Sequence, residues 1–245
     1  MGAKIISGKE LSARLREEIA RETAKLPVKP GLAVILAGDD PASLSYVKAK
    51  EKACLEAGMY SREIRFPGDV SKEELLGSIR ALNDDAAIHG ILVQLPLPAH
   101  IPAKEVIEAI SPDKDVDGFT AINTGRMLIG ENCFLPCTPH GILKLIEFSG
   151  MDLDGKHAVV IGRSNIVGKP VAALLSRKEV NATVTLCHTG TRDIGHYTRQ
   201  ADVVVVAAGR AGTLTGDMLK AGAVVIDVGV NRIPDANRQI GRAHV

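Results

Sequence analysis

Five strand-length apolar runs constrain this chain more than any other feature: "GLAVILAGD" (31–39), "IHGILVQLPLP" (88–98), "KHAVVIG" (156–162), "DVVVVAAG" (202–209) and "AVVIDVGV" (223–230). They are close to continuously apolar rather than alternating. That pattern belongs to strands buried on both faces, which pair in parallel and need helices over them. Helical patterns fill the gaps. Leu11, Leu15 and Ile19 recur every fourth residue, and Pro27 ends the stripe. "PASLSYVKAKEKACLEAG" (41–58) opens on proline and closes on Gly58, the polarity expected of a helix. "SREIRFP" (61–67) predicts a strand, and "SKEELLGSIRALNDD" (71–85) a helix with a Ser71/Glu74 capping box.

Further elements are predicted at 103–110 (short helix), from Pro139 to 150 (helix), 168–178 (helix), "ATVTLCH" (strand), 192–200 (helix) and near Met218 (short helix). The alternation implies the α/β class with parallel sheets and right-handed crossovers. The pattern loosens after "SPDKDVDGF" (111–119), so a boundary is expected near Phe119–Asn123, giving domains 1–119 and 120–245. The last strand runs into "NRIPDANRQIGRAHV" with no closing helix, the alternative to a continuing gene being a short polar tail. "IGRAHV" (240–245) matches one reading frame of a sequencing-adapter oligonucleotide, so the natural gene is expected to continue beyond this chain.

Composition excludes several classes of function. The net charge is +1 over 245 residues, so there is no basic field for nucleic acid. Tryptophan is absent and Phe and Tyr are few, which removes the stacking platforms of a single-strand binder. No apolar run approaches a membrane span, and the N-terminus has no signal-peptide core. Cys133 and Cys137 form C-x-x-x-C without a second ligand pair, which disfavours zinc. The expectation is a soluble cytoplasmic protein with reduced thiols, no metal, no membrane and no nucleic-acid partner.

Two regions carry candidate chemistry. "VVIGRSNIVGKP" (159–170) is a strand–loop–helix unit, an arrangement whose amides form an anion site. Gly162 suits the tight turn and Gly168 close helix–strand packing, but Ser164 replaces the middle glycine of G-x-G-x-x-G. An ordinary α/β turn fits the loop equally well. The next strand ends in "CHTGT" (187–191), without the acid that NAD enzymes place on the ribose, so Arg163 and Thr189 can instead hold a 2′-phosphate, favouring NADP.

In the first half, Tyr46 and Lys50 are four residues apart and share a helix face. Their spacing alone favours an exposed lysine beside a half-buried tyrosine. Gln94 is a lone amide in an apolar strand, either a strand-end hydrogen-bonder or a ligand contact. Asp113, Asp115 and Asp117 alternate like the start of a calcium loop. Gly118 is misplaced for one and no bidentate Glu follows, which leaves a ligand-contacting or turn-capping carboxylate. His140 and His188 belong to no nucleophile motif.

Seven stretches in register resemble the bifunctional methylenetetrahydrofolate dehydrogenase/methenyltetrahydrofolate cyclohydrolase family: "PASLSYVKAKEKACLEAGM", "GILVQLPLP", "DKDVDGF", "PCTPHGI", "VVIGRSNIVGKPVA", "ADVVVVAAG" and "VIDVGVNR". The resemblance implies a folate-binding catalytic domain, a Rossmann-like NADP-binding domain and folate in a cleft between them. It implies NADP-linked oxidation of 5,10-methylenetetrahydrofolate, then hydrolysis to 10-formyltetrahydrofolate, by a homodimer. By position it makes Tyr46 the folate-stacking ring, Lys50 the cyclohydrolase residue, Gln94 its assistant and Asp117 the pterin ligand. Gly162, Arg163, Ser164, Thr189 and Val230 fall on cofactor positions. The Pro- and Gly-rich loop and closing helix that the family has after the last strand are missing here. Two alternatives remain, another two-domain NAD(P)-dependent dehydrogenase of the amino-acid or shikimate type and an inactive nucleotide-binding fragment.

Overall fold

The computed structural model describes residues 3–229 and the backbone of 231–235 and 238–243. The chain divides into two compact units. One comprises Ser7–Arg126 with Glu131–Leu135; the other holds residues 3–6, Met127–Gly130 and the chain from Pro136 onward. The units therefore part later in the chain than the expected 119/120 boundary.

In the first unit, α1 (Gly8–Thr23) precedes β1 (Gly31–Ala37), α2 (Pro41–Glu56), β2 (Tyr60–Phe66), α3 (Lys72–Asp84), β3 (Gly90–Val93) and α4 (Ala103–Glu108). The strands form a parallel sheet of order β2-β1-β3, so the most apolar strand lies in the centre. Alternate residues of β1 serve opposite faces. Ala33, Ile35 and Ala37 meet α3 through Leu75, Ile79 and Leu82, while Val34 and Leu36 meet α2 through Val47. Each buried Val, Leu or Ile among them contributes about 1.5–3 kcal/mol, and the alanines less. The Ser71 hydroxyl accepts from Glu74 N–H at 3.2 Å, one of the two bonds of the expected capping box.

Beyond β3 the sheet gains a partial edge. Ile91 pairs in parallel with Asp115, and Ile91 N–H donates to Lys114 O at 2.7 Å. Asp115 is 1% exposed; its carboxylate accepts from Thr120 N–H (2.9 Å) and from Asn123 Nδ2 (3.1 Å). This network opens α5 (Ala121–Ile129), where sequence periodicity predicted no helix. The helix starts from that buried polar anchor, which periodicity does not register.

In the second unit, α6 (Cys137–Ser149) leads into β4 (His157–Ile161), α7 (Gly168–Leu175), β5 (Thr183–Cys187), α8 (Ile194–Thr198), β6 (Val203–Val206), a 3-10 turn at Gly216–Met218 and β7 (Val224–Asp227). The sheet is parallel, in the order β5-β4-β6-β7. Ile142, Ile146, Val171 and Leu175 cover one face, and Leu214 with Ala201 helps cover the other. α7 stops short of the expected 178, where the Ser176 hydroxyl turns back to Ala173 O at 3.0 Å. The segment after β7, for which only the lack of a closing helix was expected, holds an antiparallel pair, β8 (Asn231–Asp235) with β9 (Arg238–Ala243). Val230 and the terminal residues 244–245 lie outside the described residues. No helix among the described residues is long and apolar enough to cross a membrane.

Asp202 joins the start of β4 to the loop before β7. It accepts from Lys220 Nζ at 2.6 Å and from His157 N–H at 2.9 Å. The Lys220 hydrogen bond, then the His157 amide, hold this carboxyl below its ordinary range. A depressed carboxylate stabilises the fold above its unfolded pKa of about 3.9 and loses that contribution as pH falls through the lower folded value. Asp202→Asn should therefore lower Tm at pH 7, and the gap to the parent protein should close as pH falls below about 4. Thermal unfolding across that range checks it.

Candidate active site

Strand order reverses twice, at β1/β3 and at β4/β6. Crevices at such switch points, outside the carboxyl ends of the strands, are where open α/β sheets hold ligands. Gln94 directly follows β3 at the first, and Gly162 directly follows β4 at the second.

At the β1/β3 edge, Asp40 caps α2 through Ser43 N–H (2.8 Å), and Pro41 occupies the first turn. Ser43 and Val47 are the buried residues of α2, which leaves Tyr46 and Lys50 on its flank. The exposures reverse what spacing favoured: Tyr46 is 60% exposed, while Lys50 is partly covered. Lys50 Nζ donates to Gln94 Oε1 at 3.2 Å. Gln94 follows β3 directly and is tied to the central strand by its N–H to Ile35 O at 2.8 Å. Its Nε2 donates to Leu95 O at 2.7 Å, which leaves Oε1 facing the lysine. Backbone thus fixes the orientation of an amide that in turn fixes the amine.

The three alternate aspartates take separate roles. Asp113 is exposed and pairs with Arg126 at 3.3 Å, and Asp115 is the buried anchor of α5. Asp117 is partly buried, two residues beyond the Ile91–Asp115 bridge on the segment running beside β3. Thr120 and Asn123, which hold that segment, were missed by sequence reading. Asn123 N–H donates to Thr120 Oγ1 at 3.3 Å, an N-cap signal legible in "TAIN".

At the β4/β6 edge, the loop after β4 requires both its glycines. Gly162 has φ +123°, and a Cβ there would stand 2.3 Å from Ala207 O. A Cβ on Gly168 would stand 2.0 Å from Gly162 O. The Ser164 hydroxyl accepts from Val167 N–H (3.2 Å) and Gly168 N–H (3.3 Å), which caps α7. With both lone pairs engaged, its hydrogen is left to donate outward. Arg163 is exposed and makes no hydrogen bond or ion pair to any described residue.

Gly162 N–H donates to Cys187 O at 2.8 Å, which aligns this loop with the end of β5. Thr189 is exposed in the turn there, and that turn is closed by His188 N–H to Thr191 Oγ1 at 3.0 Å. Burial pushes the Cys187 thiol up, with Thr191 opposing, so it is a core group rather than a nucleophile. Burial, reinforced by Lys144, lowers His140. The tight glycine turn, the Ser164 hydroxyl and a guanidinium without a partner among the described residues fit a nucleotide phosphate cradle.

The fold and these two edges define a two-unit α/β nucleotide-dependent enzyme. Residues 6–117 match the family model for the tetrahydrofolate dehydrogenase/cyclohydrolase catalytic domain, and 136–245 match the model for its NAD(P)-binding domain. The chain belongs to this tetrahydrofolate dehydrogenase/cyclohydrolase family. It is 58% identical over 236 residues to the bifunctional protein FolD of Geobacillus thermodenitrificans (strain NG80-2), covering 95% of this chain and 82% of that one. The crystal structure of the bifunctional FolD enzyme from Campylobacter jejuni superposes with TM-score 0.92 at 46% identity, covering 98% of this chain and 85% of that one. The Trypanosoma brucei FolD, solved with NADP cofactor and inhibitor, gives TM-score 0.91 at 35% identity, covering 99% and 85%.

Proposed function

We propose that this protein oxidises 5,10-methylenetetrahydrofolate with NADP and hydrolyses the resulting methenyl compound to 10-formyltetrahydrofolate, a role in one-carbon metabolism. The observation that carries the reading is the Lys50–Gln94 hydrogen bond at the β1/β3 edge. An amine held by a backbone-locked amide is suited to managing the proton of an attacking water.

NADP, when bound, supplies the hydride acceptor for the first step. Gly162 and Gly168 keep the loop clear of Cβ atoms, the Ser164 hydroxyl donates to a phosphate, and Arg163 with Thr189 holds the 2′-phosphate. Val230 is assigned to the same cofactor by family position. No acid–base group is required for the hydride transfer, because the folate's own nitrogen stabilises the cation formed. In the second step the oxygen of water bonds to the methenyl carbon and the bond from that carbon to N5 breaks. One water hydrogen ends on N5 and the other leaves as a proton. Lys50 Nζ moves the proton at the attacking water, and Gln94 Oε1 holds that amine in place. Tyr46, open to solvent on the same helix flank, stacks on the folate. The Asp117 carboxylate accepts from the pterin amino group and ring N–H, a two-point match. A cytoplasmic homodimer completes the proposal.

The test is to incubate the protein with 5,10-methylenetetrahydrofolate and NADP and to follow NADPH and the methenyl absorbance. NADPH formation with only transient methenyl accumulation is expected. No NADPH above the enzyme-free control overturns the assignment.

A further inference from the structure

The end of β5 leads into a cavity of about 400 Å3 whose lining includes His188, Arg192, Asp193, His196 and Tyr197. Its charge balance is one-sided. The only acid in the lining, Asp193, is already engaged: Oδ1 accepts from His196 N–H at 3.0 Å, and Oδ2 faces Arg199 Nη2 at 3.8 Å. Arg192 is exposed and has no hydrogen bond or ion pair to any described residue. His188 Nδ1 accepts from Gly190 N–H at 3.0 Å, so its ring hydrogen sits on Nε2 as a donor. Thr191 Oγ1 is taken up in closing the turn. A cavity lined by a guanidinium without a partner among the described residues, an imidazole donor and an acid already engaged suits an anion.

The position of the cavity identifies the anion. β5 is the second strand of the dinucleotide unit, and the end of that strand meets the adenosine ribose 2′ position. We propose that Arg192 is a second guanidinium, beside Arg163, that reads the 2′-phosphate of NADP, and that it sets the preference for NADP over NAD. His188 Nε2–H supplies the accompanying neutral donor. The inference rests on the NADP assignment above and adds a specificity residue to it. Arg192 is exposed and bonds to no described residue, so its substitution should leave the unit folded, which the variant's Tm checks.

The test uses the full chain and two probes, 2′,5′-ADP and 5′-AMP, with binding measured by calorimetry for the parent and for Arg192→Gln. Loss of a charge-assisted hydrogen bond should weaken 2′,5′-ADP about tenfold or more while changing 5′-AMP by less than about twofold. The ratio of kcat/KM for NADP to that for NAD should fall by a similar factor. An Arg192→Gln variant that binds 2′,5′-ADP within twofold of the parent overturns the role of Arg192 and leaves the NADP reading standing. A parent protein that binds 2′,5′-ADP no better than 5′-AMP overturns both.

Discussion

Lys50→Ala should reduce hydrolysis of methenyltetrahydrofolate by about 10²–10⁴-fold, the range lost with a positioned proton-transfer group. The oxidation step should fall far less, because hydride transfer draws on geometry and not on a proton donor. Loss of the two activities would therefore separate in one variant. Methenyl hydrolysis measured alone, without cofactor, gives the first rate, and NADPH formation gives the second. The fold should survive, since Lys50 is only partly covered and α2 is seated by Ser43 and Val47. Unchanged hydrolysis in Lys50→Ala would remove the lysine from the chemistry.

Gly162→Ala should be strongly destabilising to the second unit, because it combines a backbone clash with a left-handed backbone conformation. The new Cβ would meet Ala207 O at 2.3 Å, and the backbone there is held at φ +123°. Backbone strain costs about 1–3 kcal/mol and overpacking a similar amount, so roughly 2–6 kcal/mol of stability should be lost. Neighbouring backbone cannot yield easily, since Ala207 N–H is itself bonded to Ile161 O at 2.8 Å. Urea unfolding should show the loss, accompanied by a raised KM for NADP. A loss below about 1 kcal/mol would mean that the turn can open without cost.

Much of this architecture was legible in the residues. Unbroken apolar runs fixed the strands, and β1 and β4, flanked on both sides in their sheets, are among the most apolar of them. What was lost involved contacts between distant residues. Lys50 and Gln94 could each be placed on an element, but their hydrogen bond spans 44 positions and depends on how β3 aligns with β1. The Tyr46 and Lys50 exposures came out reversed for the same reason, because spacing gives a helix face and not its covering. α5 was missed because its start is fixed by a buried aspartate–asparagine pair rather than by an apolar stripe. The β8–β9 pair was missed because polar residues and Pro234 mask a strand pattern. Arg192 drew no notice because it was expected to open a helix at 192, whereas α8 starts at Ile194 and leaves Arg192 in the turn before it.

The account centres on Lys50 and Gln94 acting as one unit, and a double-mutant cycle on methenyl hydrolysis addresses that directly. If Gln94 works only by holding Lys50, then Gln94→Ala should be impaired on its own. The Lys50→Ala, Gln94→Ala double variant should then be no slower than Lys50→Ala alone. A double variant whose loss equals the product of the two single losses would show that the residues act independently, and would contradict the account.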